Sequence, residues 1–90
     1  MPRYFFNLFD DGVTLDEQGV ELPDVAAAHE RAHRTARAIL CRELETGRIN
    51  LAHRIEVEDE AHRPVLTLPF SAAVEIEGPV NKGTPGDVLE

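Results

Sequence analysis

The segment from His29 to His33 has the residue types and spacing of a catalytic zinc site, since it reads His-Glu-Arg-Ala-His. In metallopeptidases two histidines four residues apart on a helix bind one Zn²⁺, and the intervening glutamate activates the metal-bound water. Such a site also needs a third protein ligand and an open coordination position. The remaining candidates for that ligand are His53, His62, Glu43 and Glu56. None of them lies at a spacing that completes a known motif.

A helical projection relates these side chains to the apolar side of the predicted helix. At about 100° per residue, His29 falls within the apolar stripe, His33 lies on its flank, and Glu30 points away. We therefore expect His29 to face the rest of the fold, and we expect no cofactor and no stoichiometric Zn²⁺ after purification without metal resin. Hydrolysis by a metal ion on His29, Glu30 and His33 is the alternative.

The longest regular pattern predicts an amphipathic helix over residues 24–46. Asp24 is a typical N-cap residue, and Gly47 is a typical residue just beyond a helix end. Apolar residues recur between them at the spacing of one helix face. The members of this stripe are Val25, Ala28, Ala32, Ala36, Ile39 and Leu40, with Leu44 at its edge.

Alternating segments on both sides of the helix predict an antiparallel sheet. The predicted strands are residues 3–9, 13–15, 53–58 and 64–69, and residues 20–23 are extended. The order β-β-α-β-β predicts a single small α+β domain over residues 1–76, with the one helix packed on the sheet. A short helical turn is expected within residues 71–76. Residues 77–90 are rich in glycine and proline and are expected to form a flexible tail.

Charge and cysteine content argue against several function classes. The chain has 90 residues and a net charge of −8, which disfavours binding to nucleic acid and to anionic membranes. Cys41 is its single cysteine and has no evident general base, so we expect neither a disulfide nor nucleophilic catalysis. No apolar run approaches the roughly 20 residues of a membrane span. We expect a cytoplasmic protein that does not contact membranes.

Four arginines make the helix the basic part of this acidic chain: Arg31, Arg34, Arg37 and Arg42. They could contact an anion, but we favour a solvated face with local pairs such as Glu30 with Arg34.

The first strand has aromatic residues on both of its faces, which raises a packing problem. Tyr4, Phe6 and Leu8 share one face, and Phe5 and Phe9 share the other. One helix covers one face of a small sheet, so Phe5 and Phe9, joined by Val65, are expected to form an apolar interface patch. The alternative is that Val74 and Ile76 fold over this patch.

Three segments together resemble an uncharacterised family of small bacterial proteins, a domain-of-unknown-function family. They are Pro-Arg-Tyr-Phe-Phe-Asn-Leu at residues 2–8, Gly-Val-Glu-Leu-Pro-Asp at 19–24, and Val-Leu-Thr-Leu-Pro-Phe-Ser at 65–71. The resemblance covers about residues 2–75 and implies a compact α/β domain with no assigned activity. In topology, residues 3–46 also look like antitoxins of the HicB type, which pair with a small RNA-cutting toxin.

These observations favour a small binding or interaction module over an enzyme. The expected partner is a second copy of the chain or another protein, docked on the sheet. The alternatives are a HicB-like antitoxin partner of a small nuclease and the metal-dependent hydrolase described above.

Overall fold

Strand β1 (Arg3–Phe9) is the strand from which the sheet is built in the computed structural model, which describes residues 1–78. It pairs antiparallel with three strands: β2 (Val13–Thr14), β3 (Val20–Glu21) and β4 (Arg54–Glu58). The fifth strand, β5 (Pro64–Pro69), pairs antiparallel with β4. The element order is β-β-β-α-β-β, and the predicted α+β class is confirmed. The addition is β3, a two-residue strand in a segment predicted only to be extended.

Helix α1 (Val25–Glu45) lies within one residue of the predicted bounds 24–46 at each end, and Asp24 and Thr46 are its capping residues. The Asp24 carboxylate accepts a hydrogen bond from the Ala27 backbone N–H at 2.9 Å, which satisfies one of the free donors of the first turn. Gly47 has φ +85°, a left-handed conformation that glycine adopts without steric cost. Both ends of the helix are therefore fixed by local chemistry.

The buried face of α1 is a single row at four-residue spacing: Ala28, Ala32, Ala36 and Leu40. Alanine has the smallest apolar side chain, so the row lets the helix lie close to the sheet. The sheet side chains in the core beneath it are Tyr4, Ile55, Val57 and Leu68. Phe6 and Leu8 are partly buried against the same core, as predicted for this face of β1.

The helical projection is wrong about Val25 and His29. Val25 is 46% exposed and His29 is also exposed, although the projection places both within the apolar stripe. Residues four apart in an α-helix differ by about 40° in direction around the helix axis, so a buried row at this spacing turns gradually along the helix. The buried side at the N-terminal end of α1 is therefore displaced toward Ala28 and away from these two residues.

A 3-10 turn (Phe70–Ala72) follows β5, one residue before the segment in which a helical turn was expected. Phe70 and Ala73 are buried, and Val74 packs against the same core. Ile76 is exposed. Most of the predicted tail, residues 79–90, lies outside the described residues. Within the part that the structure describes, no helix is long and apolar enough to cross a membrane.

The alanine row and Leu40 give a direct test of the helix orientation. Leu40 is 6% exposed, whereas Leu44, one turn later on the same helix, is 65% exposed. We expect Leu40→Ala to lower the free energy of unfolding by about 2–4 kcal/mol, because it leaves a cavity in the core. Leu44→Ala should change it by less than about 0.5 kcal/mol. Urea unfolding of both variants measures the difference, and equal effects would contradict the assigned helix face.

Candidate functional site

The sheet has a second face that lies opposite α1, which we call the helix-free face. The single α-helix within residues 1–78 packs on the other side. On the helix-free face the register places Phe5 opposite Glu58, Asn7 opposite Glu56, and Phe9 opposite Arg54. The face therefore combines aromatic side chains from β1 with charged side chains from β4.

The Phe9 end of the helix-free face carries an arginine. The Arg54 guanidinium lies 4.3 Å from the centroid of the Phe9 ring, within range of a cation–π interaction. Its Nε also donates to Glu56 Oε2 at 2.7 Å. Val13 of β2 pairs with Phe9, so its side chain lies on the same face, and it is 58% exposed. This end of the face is therefore formed by Phe9 and Val13, with the Arg54 guanidinium above the Phe9 ring.

The Phe5 end is negatively charged. The rings of Phe5 and His62 have centroids 4.9 Å apart. His62 Nδ1 lies 3.3 Å from Glu58 Oε1. Leu15, which is 62% exposed, lines the same shallow depression as Phe5 and Glu58. In the antiparallel pairing of β1 with β4, Glu58 and Arg54 therefore lie at opposite ends of the face.

Asp16 fixes the loop between β2 and β3 along β1. One of its carboxylate oxygens accepts from the Phe6 N–H at 3.0 Å. The other accepts from the N–H groups of Gln18 and Gly19 at 3.1 and 3.0 Å. Its own N–H donates to the Oδ1 of buried Asn7 at 2.9 Å. Burial raises the pKa of Asp16, but the three N–H donors and the charge of Arg31 outweigh it and hold that pKa below its usual value.

Gly19 completes the loop by lying against β1. Its φ is +72°, and a Cβ at this position would lie 2.8 Å from Arg3 Cγ and 3.0 Å from Phe5 Cε2. A side chain would therefore be strained in its backbone and would displace the Phe5 ring. Asp16 thus stabilises this turn through the backbone donors that its carboxylate binds.

Val65 does not lie beside Phe5 and Phe9. Pairing of β4 with β5 is irregular between Val57 and Glu58, and Val65 packs against the helix-covered core. The apolar neighbours of the two phenylalanines are instead Val13 and Leu15. The sequence pattern does not reveal them, because a two-residue strand carries no alternation from which its faces could be assigned.

The two histidines of the metallopeptidase-like segment meet on the exposed side of α1. The Nε2 atoms of His29 and His33 are 3.2 Å apart, and the ring centroids are 4.3 Å apart. The pKa of His33 is lowered, first by desolvation and then by the neighbouring His29 and Arg37. Among residues 1–78, no group of three or more histidine, cysteine, aspartate or glutamate side chains is arranged to hold a metal ion.

Two further sequence candidates lie on the surface of α1. Cys41 is an exposed free thiol. The expected pair of Glu30 with Arg34 is not formed, since no ion pair within 4.0 Å joins them in the described chain. Arg37 instead donates from its Nε to the Ala73 carbonyl at 2.7 Å, which ties the helix to the segment after the 3-10 turn.

Comparison with known protein families assigns the chain to one family. Residues 3–71 match the model of a domain of unknown function, DUF6894. The chain belongs to the DUF6894 family. This match spans β1 through the first residues of the 3-10 turn, so it includes all five strands and the helix. No curated protein and no solved structure matches the chain.

The Asp16 carboxylate of this DUF6894 domain makes a pH-dependent prediction. Its pKa is below 3.8 in the folded chain, so its stabilising contribution is present at neutral pH and is lost as the pH falls below 3.8 through the folded pKa. Asp16→Ala should lower the free energy of unfolding near neutral pH by about 2–3 kcal/mol, because backbone donors lose a charged acceptor.

Denaturant unfolding near neutral pH and again well below pH 3.8 measures this effect. The difference between wild type and Asp16→Ala should shrink in acid. The exposed neighbour Glu17 provides the control, and Glu17→Ala should change the stability by less than about 0.5 kcal/mol. A variant difference that does not depend on pH would contradict the role of the charged carboxylate.

The metallopeptidase alternative has a separate test. We expect no peptide hydrolysis by the purified chain with added Zn²⁺, and we expect Glu30→Gln to leave the stability nearly unchanged. Peptidase activity that Glu30→Gln abolishes would establish the alternative.

Proposed function

We propose that this DUF6894 domain is a non-catalytic, cytoplasmic interaction module that forms a symmetric homodimer through the helix-free face. The proposal is supported chiefly by the apolar side chains that α1 leaves uncovered. Phe5 and Phe9 are only half-buried, and Val13 and Leu15 are mostly exposed beside them. Apolar side chains grouped on one face of a small domain, here at each end of that face, are typical of an interaction surface.

The charges on the helix-free face favour a second copy of the chain as the partner. Arg54 marks the Phe9 end, and Glu58 marks the Phe5 end. A two-fold axis that lies in the interface, parallel to the sheet and perpendicular to its strands, and that passes over Asn7 and Glu56, would bring Arg54 of each copy to Glu58 of the other. It would also bring Phe9 toward Phe5 across the interface. Such a self-complementary patch is what a two-fold symmetric dimer requires.

The ion pairs within one chain do not prevent this exchange. Arg54 bonds Glu56 and Glu58 approaches His62, and all four side chains are partly exposed. Exposed pairs contribute about 0–1 kcal/mol, so replacing them with pairs across an interface costs little. Burial of the aromatic rings supplies the driving force, at roughly 25 cal/mol per Å² of apolar area removed from water. The net charge of −8 supports a protein partner over a polyanion.

Removal of the aromatic contact should produce monomers. We expect wild-type chain to be a dimer at tens of micromolar, and Phe5→Asp combined with Phe9→Asp to shift it to monomer in light scattering. Val25→Asp combined with Leu44→Asp is the control, because both are exposed apolar residues of α1, on the other side of the sheet from the helix-free face. Circular dichroism checks that each variant is folded. A wild-type monomer at millimolar concentration would contradict the proposal.

A charge exchange tests the two-fold arrangement itself. Arg54→Glu alone would place the new glutamate of one copy opposite Glu58 of the other, and Glu58→Arg alone would place two arginines opposite each other. We expect each single variant to be monomeric. An equimolar mixture of the two variants should form a heterodimer. In it, each glutamate of the Arg54→Glu chain faces an arginine of the Glu58→Arg chain, so the like-charge repulsion of the single variants is removed at both contacts. Single variants that still dimerise, or a mixture that stays monomeric, would contradict this arrangement.

A further inference from the structure

The imidazole rings of His29 and His33 lie close together at a position outside the proposed dimer interface. The pair lies on α1, on the other side of the sheet from the helix-free face. Its two Nε2 atoms are 3.2 Å apart. Two nitrogens bound at about 2.05 Å to one tetrahedral ion are roughly 3.3 Å apart. The observed separation, which in the ion-free chain is that of a hydrogen bond between the two rings, therefore matches the spacing of two nitrogen ligands on one ion.

The helix holds the pair in this arrangement before any ion binds. Both residues lie within the regular part of α1, one turn apart, so the backbone between them is already ordered. His29 is exposed and His33 is half-buried, which leaves the outer side of the pair open to solvent.

We propose that His29 and His33 form a two-ligand chelate for one late first-row divalent transition metal ion, with water in its other coordination positions. Imidazole nitrogen suits Cu²⁺, Ni²⁺ and Zn²⁺, and the expected order of affinity places Cu²⁺ above Ni²⁺ and Zn²⁺. Within residues 1–78 no third side chain completes a ligand group. The site therefore binds more weakly than structural zinc sites, loses its ion during purification and does not assemble the three-ligand catalytic centre.

Calorimetric titration of the full chain without a histidine tag tests the site, with Cu²⁺ and Zn²⁺ as the probes. We expect one ion per chain, with Cu²⁺ bound more tightly. His29→Ala and His33→Ala should each weaken binding at least tenfold. The matched control combines His33→Ala with Arg34→His, which keeps the number of histidines but moves one ring about 100° around the helix. This variant should bind as weakly as His33→Ala.

The same titrations contain the results that would overturn the proposal. Binding that is unchanged in His33→Ala, or restored by Arg34→His, would show that the pair does not act as a chelate. No measurable binding of Cu²⁺ by the folded wild-type chain would have the same meaning. The dimer variants Phe5→Asp with Phe9→Asp should retain the wild-type affinity, so failure of the proposed dimer leaves this test intact.

Discussion

A single helix can cover only one face of a sheet, and the rest of this structure follows from that constraint. The row Ala28, Ala32 and Ala36 is fully buried, so α1 lies close to the strands and its small side chains leave the larger ones to the sheet. Tyr4, Ile55 and Val57 fill the core on this side. The residues that alternate with them point the other way. β1 carries phenylalanine in both sets, and this is why the domain has an aromatic surface that its own helix does not bury.

The loop between β2 and β3 limits how far that surface extends. Asp16 replaces missing strand pairing by accepting backbone N–H groups from both β1 and its own loop, while Gly19 brings the chain within contact of Phe5. The loop thereby buries Asn7 in the middle of the helix-free face and leaves Leu15 at its rim. The result is a polar centre between two apolar ends, of which one carries Arg54 and the other Glu58. The loop thus shapes the proposed interface as much as the strands do.

Local signals in the sequence were sufficient to predict the helix and the longer strands. They were not sufficient to predict which residues contact one another. The N-cap Asp24, the glycine after the helix and the alternation of β1 each act within a few residues, and the structure confirms them. The exposure of His29 depends on how the row of buried alanines crosses the sheet. The helical projection assumes that the buried side points in one direction along the whole helix, so it cannot predict this exposure. The position of Val65 depends on an irregularity in strand pairing. Val13 joins Phe9 only through the register of a two-residue strand.

The family assignment covers the whole sheet and the helix but adds no activity. The central claim, self-association of the chain, therefore rests on the helix-free face. The four phenylalanines of the chain test it directly, because Phe5 and Phe9 lie on that face whereas Phe6 and Phe70 lie on the helix side. Fluorine-labelled phenylalanine, followed by nuclear magnetic resonance during dilution from millimolar to low micromolar concentration, reports each ring separately. Self-association through the helix-free face predicts that the Phe5 and Phe9 resonances shift while those of Phe6 and Phe70 stay constant. Four resonances that do not change with concentration would contradict it.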